Sequence, residues 1–181
     1  MEVIDTSIPD VKIIQPKIFG DERGYFMETY RHNWFQDNVA NVDFVQDNQS
    51  SSSYGILRGL HYQIAQTQGK LVRVLKGEVF DVAVDLRKSS ETFGQWFGEL
   101  LSAENQKQMW VPPGFAHGFY VTSEMAEFSY KCTDYYAPQH ERSLIWNDES
   151  LAIDWPTGNQ EPILSDKDKL AQSFTECEKF A

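Results

Sequence analysis

Alternation of apolar and polar residues is clearest in one stretch, Phe80-Asp81-Val82-Ala83-Val84-Asp85-Leu86-Arg87. Side chains two positions apart share a face of a β-strand, so this stretch has one apolar face and one polar face with two aspartates. Similar short runs recur on both sides of it, separated by glycine- and proline-rich turns. Many short strands of this kind are typical of a β-sandwich or β-barrel. The sequence therefore predicts an all-β fold.

Strands are predicted on both sides of this stretch, which itself is predicted as one strand over 78–87. Near the N-terminus, Pro16 interrupts short apolar runs, and because proline is tolerated at sheet edges these runs are predicted as edge strands. The serine run 50–53 is predicted as a loop. The other predicted strands span 25–30, 42–48, 55–63, 70–76, 93–102, 108–111, 115–121 and 126–133.

Helical signals are few. A short helix is predicted over 31–38, and the spacing of Leu170, Phe174 and Cys177 on one helical face predicts a short helical C-terminal tail. At 181 residues the chain suits one domain with a sizeable core. We therefore expect a single all-β domain over residues 1–181 with a few short peripheral helices.

Composition and charge exclude several classes of protein. A net charge of −11 argues against a general nucleic-acid-binding protein, whose affinity depends on basic surface. No apolar run reaches the length of a membrane span, and the first residues lack the basic and apolar regions of a signal peptide. Cys132 and Cys177 are too few for a disulfide scaffold and indicate a reducing compartment. We therefore expect a cytoplasmic protein without nucleic-acid or membrane partners.

The most unusual predicted strand is 55–63, with the sequence GILRGLHYQ, because it carries a cation and an imidazole among apolar residues. Burying such groups without partners is costly, so we interpret Arg58 and His61 as pocket residues. A structural histidine satisfied by a neighbour is the alternative for His61. Strict alternation would place Arg58 and His61 on opposite faces. A β-bulge at Gly59 is therefore expected, since glycine in a strand often marks one.

Further polar groups suggest a ligand site. His117 follows a proline-proline-glycine turn and is expected at the mouth of the barrel. A metal site is not predicted, because neither histidine strand carries a His-x-His pair and no glutamate follows His61 closely. Arg23, Arg58 and Lys70 together would bind an anion such as a phosphate. Taken singly, each is typical of a solvated surface charge.

Two tyrosines and one aspartate have both a functional and a structural interpretation. Tyr130 and Tyr136 can donate a proton or stack on a flat base, whereas plain packing is common for tyrosine in β-proteins. Asp168 lies three residues after Ser165, a spacing close to that of a helix capping box. Capping alone would therefore account for Asp168.

Segments along most of the chain resemble one family, the dTDP-4-dehydrorhamnose 3,5-epimerases of the cupin superfamily. They follow the order of the family over about residues 3–170, and the ordered set is far more specific than any one segment. The segments are 20–26 (GDERGYF), 46–48 (QDN), 57–63 (LRGLHYQ), 69–74 (GKLVRV), 80–87 (FDVAVDLR), 113–119 (PGFAHGF), 130–131 (YK), 146–148 (WND) and 163–168 (ILSDKD).

This resemblance implies a cupin jelly-roll β-barrel, usually a homodimer, that needs no metal or organic cofactor. It implies that Arg23, Phe26 and Glu28 reach the pocket of the partner subunit. The implied reaction inverts C3 and C5 of dTDP-4-dehydro-6-deoxy-D-glucose to give dTDP-4-dehydro-L-rhamnose, within dTDP-L-rhamnose biosynthesis.

The resemblance also implies how the chemistry is divided. Both inverted carbons adjoin the C4 ketone, so removal of either proton gives an enolate. His61 is implied as the base, with Asp168 orienting its ring. Lys70 is implied to stabilise the enolate charge, and Tyr130 to return a proton from the opposite face.

The remaining implied residues contact the substrate. Tyr136 matches the residue that stacks on thymine. Two alternatives stay open: a related dTDP-4-keto-sugar mono-epimerase or ketoisomerase of the same fold, and a non-catalytic ligand-binding cupin. The presence of both a base and an acid argues against the second. The other substrate contacts implied by the resemblance are Arg23, Phe26, Glu28, Gln46, Asp47, Asn48, Arg58, Lys70, His117, Glu141 and Lys167.

Overall fold

The computed structural model describes residues 1–158 and 160–181, and the predicted all-β fold with a few short helices is confirmed there. The helices are α1 (His32–Asn38) and α2 (Asp166–Lys169), and a 3-10 turn spans Pro138–His140. The strands are β1 (Glu2–Asp5), β2 (Lys12–Gln15), β3 (Ile18–Asp21), β4 (Gly24–Met27), β5 (Gln46–Ser53), β6 (Leu57–Gln63), β7 (Lys70–Lys76), β8 (Glu78–Asp85), β9 (Trp96–Ser102), β10 (Gln108–Val111), β11 (Phe115–Val121), β12 (Met125–Cys132) and β13 (Glu141–Ser143).

Two antiparallel sheets face each other as the walls of a jelly-roll barrel. One has six strands in the order β1-β2-β10-β7-β12-β5, and the other has five in the order β13-β6-β11-β8-β9. Strands β3 and β4 form a separate hairpin. The N-terminal strand β1 lies at an edge, as predicted. The prediction of an edge strand is wrong for β2, because β2 lies between β1 and β10. None of the helices in the described residues is long and apolar enough to cross a membrane.

Apolar side chains fill three layers. The central layer, between the sheets, includes Val72 and Phe128 from one sheet and Ala83 and Phe119 from the other. The second layer covers the outer face of the five-stranded sheet with residues of the C-terminal third of the chain. The third packs α1 against the outer face of the six-stranded sheet. The central layer fills only part of the barrel, and the interior also holds buried polar side chains such as Asp81 and His117.

The strand predicted over 78–87 is β8, and its alternation is confirmed. Its apolar face, with Val82 and Val84, packs outward under the C-terminal residues. Its polar face is equally buried, since Asp81 and Asp85 are both 0% exposed. Asp81 therefore needs a partner inside the barrel, where it contributes to the candidate site.

Three further predictions of local structure are wrong. The strand predicted over 42–48 begins only at Gln46, the first residue of β5. Residues 50–53 are not a loop but the second half of β5, because this strand pairs with β12 along its whole length. The C-terminal tail is not helical beyond α2. Leu170 is 85% exposed, whereas Phe174 and Cys177 pack into the outer layer from turns. Packing of these apolar side chains on the sheet, rather than helical periodicity, determines the path of the tail.

Candidate active site

Strand β6 departs from regular alternation at Gly59, as the sequence predicts. His61 pairs with His117 of β11, and Arg58 pairs with the residue only two positions further along β11. Three steps on one strand thus match two on its neighbour, which is the geometry of a β-bulge. Because of this bulge, Arg58 and His61 line the same cavity, while Leu60 packs into the outer apolar layer.

A cavity of about 380 Å³ opens between the two sheets. The five-stranded sheet contributes Arg58, His61 and His117, and the six-stranded sheet contributes Lys70 and Tyr130. A ligand in the cavity is therefore contacted from opposite sides by side chains of different sheets. The other lining residues are Ser50, Ile56, Leu57, Gly118, Phe119, Phe128, Ile163, Leu164, Ser165 and Asp168.

His61 forms a hydrogen-bonded pair with Asp168, 107 residues away in sequence. The distance between His61 Nε2 and Asp168 Oδ1 is 2.5 Å, and Asp168 is only 2% exposed. Burial opposes ionisation of this carboxyl, but the hydrogen bonds from His61 and Ser165 outweigh it and hold the pKa of Asp168 below its usual value. A buried carboxylate held in this way orients the imidazole and stabilises its protonated form.

Asp168 also takes part in capping α2, so both interpretations of this aspartate hold. The Ser165 hydroxyl accepts a hydrogen bond from the backbone N–H of Asp168 at 3.2 Å, as an N-cap does. The same hydroxyl donates to Asp168 Oδ2 at 2.9 Å. The cap thus fixes the carboxylate that holds His61.

Lys70 begins β7 and extends its ammonium toward the cavity from the six-stranded sheet. Burial lowers the pKa of Lys70, and the nearby Cys132, Asp81 and Glu141 oppose this effect. A cation in such a partly desolvated position interacts more strongly with a developing negative charge than one in water does.

Tyr130 lies on β12, in the sheet opposite His61. Burial raises the pKa of its hydroxyl, and the nearby Cys132 and Glu141 add to this effect. The phenol therefore remains protonated at neutral pH and can donate a proton into the cavity. Its position opposite His61 is that required of an acid acting on the other face of a ligand.

Asp81 is a site residue that the sequence analysis did not identify. It binds His117 Nε2 through both carboxylate oxygens, at 2.9 and 3.0 Å. Burial raises the pKa of Asp81 and lowers that of His117, which favours the uncharged forms of the pair. The available signal was the aspartate on the polar face of β8, since a polar residue on a buried strand requires a partner.

A smaller cavity of about 80 Å³ adjoins the first and shares His61, Lys70 and Tyr130 with it. Tyr136 and Glu141 line this extension. The Tyr136 hydroxyl donates to Glu141 Oε2 at 2.8 Å, and Glu141 Oε1 forms an ion pair with Lys167. The half-exposed ring of Tyr136 leaves an aromatic face available to a planar group.

Three of the predicted substrate contacts lie on strand β5, but they do not share one face of it. Gln46 and Asn48 are partly buried on one face, and Gln46 accepts a hydrogen bond from the backbone N–H of Tyr136. Asp47 lies on the opposite face, because neighbouring strand residues alternate, and it pairs with Lys131 at 3.0 Å. The structure therefore does not bring Asp47 into the cavity that Tyr130 and His61 line.

Arg58 lines the cavity and also contacts strand β5. Its Nε donates to the Ser52 hydroxyl at 2.8 Å, which positions the guanidinium at the cavity wall. Three other predicted contacts do not reach this cavity. Arg23 and Phe26 lie on the β3–β4 hairpin, where Phe26 is 71% exposed, and Glu28 just beyond it pairs with Arg31.

The fold and this site define a cupin-type enzyme suited to moving protons beside a carbonyl group. A histidine–aspartate base, a tyrosine on the opposite sheet and a buried lysine surround one cavity. Among residues 1–158 and 160–181, no group of three or more histidine, cysteine, aspartate or glutamate side chains is placed to hold a metal ion.

Comparison with known proteins identifies the particular family. The family model described as dTDP-4-dehydrorhamnose 3,5-epimerase matches residues 5–176. The curated dTDP-4-dehydrorhamnose 3,5-epimerase of Pseudomonas aeruginosa is 57% identical over 181 residues, with 99% of each chain covered. That of Neisseria gonorrhoeae is 56% identical, and this chain spans 55% of its length.

A solved structure gives the same result. The dTDP-6-deoxy-D-glucose-3,5-epimerase of Legionella pneumophila, in complex with dTDP-4-keto-L-rhamnose, is 56% identical and superimposes with a TM-score of 0.95. The match covers 98% of this chain and 94% of that one. The chain belongs to the dTDP-4-dehydrorhamnose 3,5-epimerase family, and the sequence prediction of a cupin-fold epimerase in dTDP-rhamnose biosynthesis is confirmed.

Proposed function

We propose that this chain binds dTDP-4-dehydro-6-deoxy-D-glucose and inverts it at C3 and C5, with His61 as the base and Tyr130 as the acid. The observation that carries the proposal is the position of these two side chains, which enter one cavity from opposite sheets. Inversion of a carbon requires removal of its proton on one face and return of a proton on the other. A base and an acid on opposite walls meet that requirement.

The first step breaks a C–H bond beside the C4 ketone. His61 Nε2 is occupied by its hydrogen bond to Asp168, so the lone pair of Nδ1 is the one that accepts the proton. The electron pair of the C–H bond moves into the enolate. The anionic Asp168 then stabilises the imidazolium that forms, as a buried carboxylate does in other histidine dyads.

The enolate carries its charge on the ketone oxygen. The Lys70 ammonium, which lines the cavity, stabilises that charge. Tyr130 then gives its phenolic proton to the same carbon from the opposite face. The phenolate regains a proton from solvent and the His61 imidazolium releases its proton to solvent, so that both groups are restored. Repetition at the second carbon completes the reaction.

The nucleotide end of the substrate extends toward the smaller cavity. Tyr136 offers an exposed ring for stacking on thymine, and Arg58 offers a guanidinium for the pyrophosphate. The remaining contacts that we assign to the substrate are Gln46, Asn48, His117, Glu141 and Lys167. Asp47 is left out of this set because it lies on the outer face of β5.

We further propose that the enzyme is a homodimer in which Arg23, Phe26 and Glu28 complete the site of the partner subunit. Phe26 and Arg23 lie on a hairpin whose apolar side chains are largely exposed. Neither residue lines the cavity of its own chain that contains His61. Burial of this hairpin against a second copy would remove that apolar surface from water. The enzyme is proposed to act in the cytoplasm, where the free Cys132 and Cys177 stay reduced.

Incubation with dTDP-4-dehydro-6-deoxy-D-glucose in deuterated water tests the reaction. Deuterium is expected at both C3 and C5, and His61→Asn is expected to abolish its incorporation. His32→Asn is the matched control, because His32 is exposed on α1, contacts Asp43 and the Tyr30 hydroxyl, and lines neither cavity. Label at one carbon would indicate a mono-epimerase, and no label a ligand-binding protein. Full double inversion by Tyr130→Phe would disprove the assignment of the acid.

A further inference from the structure

One carboxylate connects the nucleotide end of the site to the catalytic pair. Glu141 Oε2 accepts a hydrogen bond from the Tyr136 hydroxyl at 2.8 Å, and Glu141 Oε1 forms an ion pair with Lys167. Lys167 immediately precedes Asp168, whose carboxylate holds His61 at 2.5 Å. Three polar contacts and the backbone that joins Lys167 to Asp168 thus connect Tyr136 to His61.

Helix α2, which carries Lys167 and Asp168, is held in place by bonds from its side chains to the five-stranded sheet. Helix α2 has only four residues, Asp166–Lys169, so its own backbone hydrogen bonds are few. Two side chains tie it to the five-stranded sheet: Asp168 binds His61 on β6, and Lys167 binds Glu141 on β13. The opposite side of the helix, with Asp166, faces solvent.

Glu141 is more buried than a typical surface carboxylate, so it is suited to holding its two partners in fixed positions. Its side chain is only 19% exposed, whereas that of Lys167 is 48% exposed. Burial opposes its ionisation, but the bonds from Lys167 and Tyr136 outweigh this and lower the pKa of Glu141. The carboxylate is thus a fixed acceptor for Tyr136 and Lys167, which are 31 residues apart in sequence.

We infer that Glu141 is a positioning residue: through Lys167 it holds helix α2 so that Asp168 stays on His61, and through Tyr136 it links this geometry to nucleotide binding. The inference rests on the proposed function, because it assigns a role in the step that His61 performs. This positioning role is additional to the substrate contact assigned to Glu141 above, and the two roles differ in their consequences. A substrate contact affects the KM, whereas a group that positions the base affects the kcat.

Three variants test the link to α2. Glu141→Gln keeps the size and the bond to Tyr136 but removes the charge, and Lys167→Met keeps the length of the side chain. Each is expected to lower the kcat for deuterium exchange about tenfold, since small displacements of catalytic groups are costly. The double variant is expected to lose no more than either single one, because both break the same interaction.

The neighbouring ion pair supplies a matched control. Arg142 on the same strand pairs with Glu178 at 2.9 Å, and neither residue lines either cavity. Glu178→Gln is expected to leave the kcat unchanged. An unchanged kcat in Glu141→Gln with only a raised KM would assign Glu141 to substrate binding alone and overturn the inference.

The link to the nucleotide needs a readout other than activity. The imidazole N–H resonance of His61, followed by nuclear magnetic resonance, is expected to shift when dTDP binds to the wild-type enzyme. Tyr136→Phe keeps the aromatic face and removes only the hydroxyl. It is expected to bind dTDP with a Kd within about threefold of wild type but to lose at least half of the shift.

The outcomes separate this inference from the proposed function. An equal shift in Tyr136→Phe and wild type would show that the phosphates act on His61 directly, and it would overturn the link. If instead the wild-type enzyme incorporated no deuterium, the proposed function itself would be wrong, and full exchange by His61→Asn would disprove the assignment of the base, whatever the variants of Glu141 did.

Discussion

Arg58 and His61 face one cavity although three positions separate them on strand β6. Gly59 makes this possible. Its φ is +129°, and a Cβ built on it would lie 2.5 Å from the Cα of Gly118 on the neighbouring strand. The bulge that aims both the Arg58 guanidinium and the His61 imidazole into the barrel thus depends on two facing glycines.

Gly59→Ala is therefore expected to damage both stability and the site. The backbone conformation disfavours a side chain, and the added methyl group meets main-chain atoms that cannot move aside. We expect the free energy of unfolding to fall by roughly 3–5 kcal/mol, measured by urea denaturation. Relief of the clash by a register shift would turn Arg58 away from His61 and abolish the exchange activity.

Gly24 is the matched control for the backbone term. Its φ is +125°, close to that of Gly59, but no atom lies within 4 Å of an added Cβ. Gly24→Ala is expected to cost only about 1–2 kcal/mol, as conformational strain alone. Equal losses in the two variants would show that packing against Gly118 is unimportant.

Asp168→Asn is expected to preserve the fold and remove most of the activity. The amide can still occupy the buried position, but it neither fixes the correct tautomer of His61 nor stabilises the imidazolium. By analogy with other dyads, we expect the kcat to fall by roughly a hundredfold or more. Asp166→Asn is the control on the same helix, since the side chain of Asp166 is 99% exposed. A similar kcat in both variants would remove Asp168 from the mechanism.

Lys70 is expected to determine how the rate falls at high pH. Burial lowers the pKa of Lys70 below its usual 10.5, so the ammonium loses its proton at a lower pH than an exposed lysine would. Burial raises the pKa of Tyr130 above its usual 10.0, so the acid is still protonated in that range. The kcat of the wild-type enzyme should therefore decline with the loss of the Lys70 proton.

Two substitutions of Lys70 check this assignment. Lys70→Met is expected to lower the kcat roughly 100- to 1,000-fold, as loss of a preorganised donor does. If the Lys70→Arg variant is active, its guanidinium should keep its charge to a higher pH, so the decline of the kcat should move to higher pH. Lys76→Met, at the exposed end of the same strand, should change neither quantity. An alkaline decline at the same pH in Lys70→Arg would assign it to another group.

The sequence predicts most of the fold because alternation reports local strand geometry directly. It predicts β8 and β11 within two residues, but it does not show which face meets the second sheet, so Asp81 was left without a role. Helical spacing at Leu170 was misleading for a similar reason. The tail packs on the outer face of the five-stranded sheet, and local periodicity carries no information about that long-range contact.

The site was predicted partly from chemistry and partly from resemblance. The cost of burying Arg58 and His61, together with Gly59 between them, predicted the pocket and its bulge. The contact between His61 and Asp168 joins residues 107 positions apart, which no local pattern encodes, and only the family resemblance paired them. The placement of Asp47 outside the cavity follows from strand parity, which a motif match does not consider.

The hydrogen-bonded cluster around Asp85, which lies outside the candidate site, is expected to make the stability of the fold depend on pH in acid. Asp85 is fully buried; burial opposes its ionisation, but bonds from Arg87, Ser90 and Thr92 outweigh this and lower its pKa to about 2. Because the folded pKa lies below the unfolded value of 3.8, this stabilisation is complete above about pH 4 and is lost as the pH falls toward 2.

Asp85→Asn is accordingly expected to lower the free energy of unfolding by about 2 kcal/mol at pH 7 and by less at pH 3. Asp10→Asn is the control, because Asp10 pairs with the same Arg87 from the exposed surface and should contribute under about 1 kcal/mol. Urea denaturation at both pH values measures the difference. An equal loss at pH 7 and pH 3 would show that the charge of Asp85 is not the stabilising feature.

Complementation between two inactive variants tests the proposed sharing of the site. Arg23→Ala removes a residue supplied to the partner subunit, and His61→Asn removes the base of a chain's own site. If Arg23 acts across a symmetric dimer, a mixed dimer has one complete site, formed by His61 of one chain and Arg23 of the other. Refolding an equal mixture should then restore about a quarter of wild-type activity. No recovery, in a mixture shown to contain mixed dimers, would place Arg23 in its own subunit's site or outside the site altogether.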